Sequence, residues 1–119
     1  MTLEELEPHE QIALMALLGL MARLDGWASD DEQELLRRVG SELGPDGFAR
    51  AAAEVARLAD DDAVLATADG VVRQEAREVL YELLWDMAVK ESIVEPEAKL
   101  LDRLATTWAL PRVTGDDEE

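Results

Sequence analysis

The sequence lacks the residues from which many functional sites are built. It has no cysteine and a single histidine, which excludes disulfide bonds, thiolate metal sites and histidine-rich zinc sites. Aromatic residues make up only 4% of the chain, which favours closely packed helices over a β-sandwich. The longest apolar run, residues 12–22, is too short to cross a bilayer. We therefore expect a helical protein that does not insert directly into a membrane.

Basic residues are also scarce. The chain has 11 Lys and Arg against 28 Asp and Glu, a net charge of −17. Such a surface repels nucleic acid and anionic lipid, and it attracts cations and basic proteins, although solubility alone explains much acidic charge. The N-terminal residues are acidic where a secretory signal needs basic ones. The sequence thus predicts a cytoplasmic protein that does not bind nucleic acid.

The apolar residues that are present predict one folded domain. They make up 48% of 119 residues, which is enough for a substantial core. No segment alternates convincingly as a strand, so we expect an all-α fold. The predicted domain covers residues 1–113, and an acidic, disordered tail follows at residues 114–119.

The spacing of apolar residues predicts six helices, near residues 8–24, 29–43, 48–59, 63–68, 72–90 and 95–110. The first is apolar all round after Gln11, so it should be the buried central helix. Gly19 lies inside it, and a close approach by a neighbour would explain a glycine there.

The run from Gly44 to Gly47 predicts a helix stop, and Asp60 predicts the N-cap of the fourth helix. On the fifth helix we expect Val72 in the apolar stripe and Arg73 on the solvated face. The last helix has an apolar stripe of its own: Leu100, Leu101, Leu104, Ala105 and Trp108.

Two corners of the chain share a pattern of helix, acidic turn and helix. When Met21 is aligned with Met87, Asp25 meets Glu91 and Asp31 meets Glu97. Most of the corner acids begin helices, where the helix dipole favours negative charge. Asp25 and Glu91 instead follow a helix end, where a negative charge is disfavoured.

The corner acids therefore have two interpretations, turn chemistry alone or a cation site. The candidate metal ligands share carboxylate chemistry and lie at the two corners: Asp25, Asp31, Glu32, Glu91, Glu95 and Glu97. Oxygen ligands favour Ca²⁺, Mg²⁺ or Mn²⁺ over structural zinc. The spacing is not that of an EF-hand, which needs acids at alternate positions and glycine at the sixth. We expect no other cofactor.

The first corner, Leu-Asp-Gly-x-x-Ser-x-x-Glu at Leu24–Glu32, resembles the tellurite-resistance TerB family. The second corner, before the Leu-Leu-x-x-Leu-Ala helix, does so too, and the likeness covers about residues 10–110. It implies a compact bundle of about seven helices around a buried central helix. By position, the family's first acidic pair falls on Asp25 and Glu32. The second falls on Glu91, with Glu97 or Ala98 opposite. The family pattern has its acid at position 98, whereas this chain has an alanine there and a glutamate one residue earlier.

The resemblance implies a non-enzymatic stress-response module of the tellurite-resistance type. Such a module would bind a divalent cation at its acidic corners and dock onto partner proteins, including those of a membrane-associated stress complex. The alternative is an acidic helical protein–protein adaptor with no metal site. An enzyme is disfavoured because the sequence has no nucleophile–base constellation, glycine-rich phosphate loop or histidine-centred site.

Overall fold

The computed structural model describes residues 3–25, 30–90 and 95–110, and every regular element in those ranges is helical. A short 3₁₀ turn, Leu3–Glu5, precedes five α-helices: α1 Pro8–Asp25, α2 Asp30–Ala56, α3 Asp61–Asp69, α4 Gln74–Lys90 and α5 Glu95–Thr107. The radius of gyration is 13.4 Å, close to the ~13.5 Å of a compact chain of this length. The all-α prediction is confirmed, and the predicted acidic tail at residues 114–119 lies outside the described residues.

The described residues contain five α-helices rather than the six or seven predicted. The difference arises at Gly44, where the predicted helices 29–43 and 48–59 follow each other without a loop inside α2. Gly44 has φ 84° and ψ 157°, a conformation that essentially only glycine adopts. Pro45 follows and starts the second half, since proline is well tolerated at a first helical position. The stop signal therefore does end the first helical run at Gly44, but the second run begins at once with Pro45, so that the two form the halves of the kinked element α2.

Helix α1 is the central element of the fold. It contacts each of the other four α-helices, and its buried side chains lie on most of its circumference: Ala13, Leu14, Ala16, Leu17, Leu18, Leu20 and Met21. The prediction of a buried central helix is confirmed. The close approach predicted at Gly19 is not found among the described residues, where a Cβ would meet just the Arg23 guanidinium, at 3.8 Å.

Helix α3 begins as its sequence predicts. The Asp60 side chain accepts a hydrogen bond from the Ala63 backbone N–H at 2.9 Å, which satisfies one of the free donors of the first turn. The start of α4 differs from the prediction. The helix begins at Gln74 rather than at Val72. Val71 is buried but Val72 is 68% exposed, so Val72 does not belong to the apolar stripe.

The chain after α5 is attached to the core through Trp108. Its ring is fully buried, and its indole N–H donates to the Ala68 carbonyl at 2.8 Å. Arg77 reaches the same region, because its Nε donates to the Val71 carbonyl at 2.8 Å. The predicted apolar stripe of α5 is confirmed, since its members are all buried: Leu100, Leu101, Leu104, Ala105 and Trp108.

Candidate cation site at the two acidic corners

The first acidic corner lies between α1, which ends at Asp25, and α2, which begins at Asp30. Met21, one turn before this corner, is fully buried, so α1 reaches the corner directly from the core. Residues 26–29 and the side chains of Asp25, Asp31 and Glu32 lie outside the described part of the molecule. These three candidate ligands therefore stay predictions.

The second corner lies between the end of α4 at Lys90 and the start of α5 at Glu95. As at the first corner, the preceding helix reaches the corner from the core, since Ala88 near the end of α4 is fully buried. Glu91 lies outside the described residues and stays a prediction. Glu95 and Glu97 are both described, and their environments differ sharply.

Glu95 faces solvent and Glu97 faces the interior. The Glu95 side chain is 79% exposed and lies 3.4 Å from the Lys99 ammonium group, as an exposed i, i+4 ion pair does. Glu97 is 0% exposed. A first-turn acid needs only to be near the helix terminus to interact with the dipole, so the dipole accounts for Glu95 but not for the burial of Glu97.

The direction of Glu97 follows from its position on α5. It precedes Leu100, Leu101 and Leu104 by three, four and seven residues, so all four side chains lie on the buried face of the helix. Ala98 points to solvent. Position 98, where the family pattern has its acid, is therefore an exposed alanine in this chain, and the inward-facing acid is Glu97, one residue earlier.

The described side chains do not by themselves complete a metal centre. No group of three or more His, Asp or Glu side chains in the described part of the molecule is arranged to hold an ion. That part contains only Glu95 and Glu97 of the six candidate ligands with their side chains. The chemistry of the set still fits a hard cation, because every candidate donor is a carboxylate oxygen.

A second fully buried acid, Glu10, was not singled out by the sequence. Its Oε2 accepts from Arg73 Nε at 2.9 Å and its Oε1 accepts from Arg73 Nη2 at 2.6 Å. The same Oε1 accepts from the Glu7 backbone N–H at 2.7 Å, and Arg73 Nη2 also donates to the Glu5 carbonyl at 3.0 Å. The planar guanidinium matches both carboxylate oxygens, so the pair ties the start of α1 to the segment before α4.

The charges of this pair stabilise each other. Hydrogen bonds from Arg73 hold the pKa of Glu10 below its ordinary value, although burial acts in the opposite direction. The carboxylate in turn raises the pKa of Arg73. The capping spacing of Glu7 and Glu10 could have predicted the local bond, in which the third helical residue reaches back to the cap. It could not have predicted Arg73, which is 63 residues away.

A separate property concerns membranes. None of the helices in the described ranges is both long enough and apolar enough to cross a bilayer. This agrees with the short apolar run in the sequence.

Comparison with known proteins identifies one family. The family model described as "Tellurite resistance protein TerB" matches residues 11–114. No curated protein gives a significant match to the chain, and no solved structure does so either. The match covers both acidic corners and all five α-helices apart from the first turn of α1.

Proposed function

The chain belongs to the tellurite-resistance TerB family, and from this premise we propose that it is a non-enzymatic stress-response module. In this proposal it binds a divalent cation at its acidic helix–turn–helix corners and docks onto partner proteins, such as those of a membrane-associated stress complex. The non-enzymatic part is supported by the sequence, which offers no nucleophile–base constellation and has one histidine, His9.

The observation that carries the cation proposal is the burial of Glu97 at the second corner. This burial supports the proposal because it directs an anionic oxygen donor, the ligand type that hard cations prefer, towards the interior of the bundle beside the second corner. Glu97 is fully buried whereas Glu95, two residues earlier, is exposed beside Lys99. We therefore favour Glu97 over Glu95 as a ligand.

The remaining ligands in this proposal are Asp25, Asp31, Glu32 and Glu91. Asp25 is the last residue of α1 and Glu91 comes directly after the end of α4, and at a helix C-terminus the dipole disfavours an anion. A bound cation would offset that cost. Ca²⁺, Mg²⁺ and Mn²⁺ are the candidates, since the ligands are oxygen atoms.

Trp27 provides a direct test because it lies within the first corner. Titration with Ca²⁺, Mg²⁺ or Mn²⁺ should change its fluorescence, and Asp25→Asn should abolish or weaken the change. Asp46→Asn is the matched control, because Asp46 is an exposed aspartate of the α2 kink and its response should equal that of the wild type. Trp27→Phe separates this signal from that of Trp85 and Trp108. A flat titration with all three ions would contradict the cation proposal.

The second candidate is an acidic adaptor whose corners are only turns. It is favoured by the location of several corner acids in first turns, where the dipole already stabilises them: Asp30, Asp31 and Glu32 in α2, and Glu95 in α5. The same titration separates the candidates. An adaptor without a metal site would show no cation response and would still bind its protein partner in the presence of a chelator.

A further inference from the structure

An open groove lies on the side of the molecule formed by the 3₁₀ turn, α2 and α4. Its volume is about 280 Å³, slightly below the ~300–1,000 Å³ typical of enclosed small-molecule sites. Leu3, Val79 and Leu83 provide its apolar part. Val79 is the most accessible of the three, because Leu3 and Leu83 are 3% and 6% exposed. The groove therefore offers a partner mainly one accessible apolar side chain, that of Val79.

The rim of the groove is acidic. Glu42, Glu82 and Asp86 line it together with a single base, Arg38. Arg38 is already paired with Glu42, at 3.2 Å between Nε and Oε2. Glu82 and Asp86 are exposed, and neither takes part in an ion pair or hydrogen bond in the part of the chain that the structure describes. Among the side chains that the structure describes, Glu82 and Asp86 of α4 therefore have no cationic partner.

The arrangement of these acids matches separate cationic groups rather than one metal ion. Within the described residues, no three carboxylates are arranged to hold a metal. Glu82 and Asp86 are four residues apart, so they project from the same face of α4 one turn from each other. The lining residues Val79 to Asp86 span about 10 Å of helix, which is the length over which a short helix can lie against another.

We propose that this groove docks a short amphipathic helix of a partner protein, with an apolar residue on Val79 and Lys or Arg side chains on Glu82 and Asp86. The inference deepens the partner-docking half of the proposed function and rests on it. Charge complementarity commits the groove to a basic occupant. A purely apolar segment would cover the two carboxylates without pairing them, and nucleic acid would be repelled. A second copy would bring its own charge of −17.

The docking can be tested with a dye-labelled, helix-forming synthetic peptide that carries a leucine at position i and lysines at i+3 and i+7, the spacing of Val79, Glu82 and Asp86. Fluorescence anisotropy with the full chain measures its affinity in chelator, so that no cation is required. The variant Glu82→Gln/Asp86→Asn should weaken binding about tenfold, since both partner charges are lost. Higher salt should weaken wild-type binding as well. Amide shifts on peptide addition should centre on Val79 and Leu83.

The matched control is Asp62→Asn/Asp69→Asn. It also removes two negative charges, but from exposed positions of α3, a helix that contributes no residue to the groove lining. This control should bind the peptide as the wild type does. Equal weakening in both variants would overturn the proposal, because overall charge would then explain the binding. Equal binding of a peptide with glutamate in place of lysine would overturn it too.

Two further outcomes have a defined meaning. Wild-type self-association that Glu82→Gln/Asp86→Asn abolishes would assign the groove to a second copy and overturn the proposal. The cation response of this variant should equal that of the wild type, because Glu82 and Asp86 belong to neither corner. Peptide binding without any cation response would support docking in the groove and would contradict only the cation-binding part of the proposed function.

Discussion

Among the residues that the structure describes, two glutamates are completely buried in the first turn of a helix, Glu10 and Glu97, and they differ in what surrounds them. Glu10 of α1 lies against the Arg73 guanidinium, which bonds both of its carboxylate oxygens. Glu97 of α5 lies at a corner where the sequence gathers further acids, Glu91 and Glu95. The first is a structural contact between distant segments, whereas the second is our candidate ligand. Burial alone therefore does not identify a functional acid, and the chemistry around it must be considered.

The largest effect should come from removing the base at the Glu10 site. Arg73→Gln removes the guanidinium that bonds both carboxylate oxygens. The buried carboxylate then loses its compensating charge, so this substitution should lower the unfolding free energy more than any of the other substitutions proposed below. Urea denaturation measures the change.

The control for this substitution is Arg23→Gln. Arg23 pairs with Asp61 at 2.8 Å, but both side chains are more than half exposed, so its loss should change stability little. Equal effects of the two substitutions would show that Glu10 does not depend on Arg73 as the geometry indicates.

The second effect concerns the cation at the Glu97 site. At one hundred times its dissociation constant, a bound cation should stabilise the wild type by about 2.7 kcal/mol. Glu97→Gln should remove most of this gain, whereas Glu10→Gln should keep it. Thermal melts with and without Mn²⁺, Mg²⁺ or Ca²⁺ measure the difference. If Glu97→Gln retains the full gain, Glu97 is not a ligand and the contrast between the two buried acids fails.

The third effect is a pH dependence at the Glu10 site. Because the folded-state pKa of Glu10 is lowered, its contribution to stability is present above the unfolded-state pKa, near 4.5. That contribution is lost as the pH falls through the lower, folded-state pKa. Glu10→Gln should therefore be less stable than the wild type at neutral pH, and the gap should narrow in acid. A gap that stays constant from neutral pH to strong acid would contradict this assignment.

The smallest effect should be seen at Glu95, the exposed neighbour of Glu97. Glu95→Gln removes its contact with Lys99 and some helix-dipole stabilisation, so stability should change by no more than about 1 kcal/mol. The cation response should remain that of the wild type. Lys99→Gln provides the reciprocal control by chemical denaturation. A lost cation response in Glu95→Gln would return Glu95 to the ligand set.

The same contrast shows how far the sequence could predict the candidate site. The corners were predictable because caps, dipoles and helix ends depend on neighbouring residues. The inward direction of Glu97 was left open against Ala98, because a one-residue shift changes the face of a helix by 100° and only packing decides it. The local pattern predicts a solvated Arg73, because its pairing with Glu10, 63 residues away, leaves no local signal in the sequence.

The sequence by itself determined the helical class, the central role of α1, the Asp60 cap and the family. These features depend on apolar periodicity and on interactions within one or two turns, which a linear chain displays directly. Only the tertiary structure decided that no loop separates the two helical runs that meet at Gly44. It also decided that the Trp108 indole donates a hydrogen bond to the Ala68 carbonyl and that Glu10 and Glu97 are buried. The physical reason is that each of these depends on which segments meet in space.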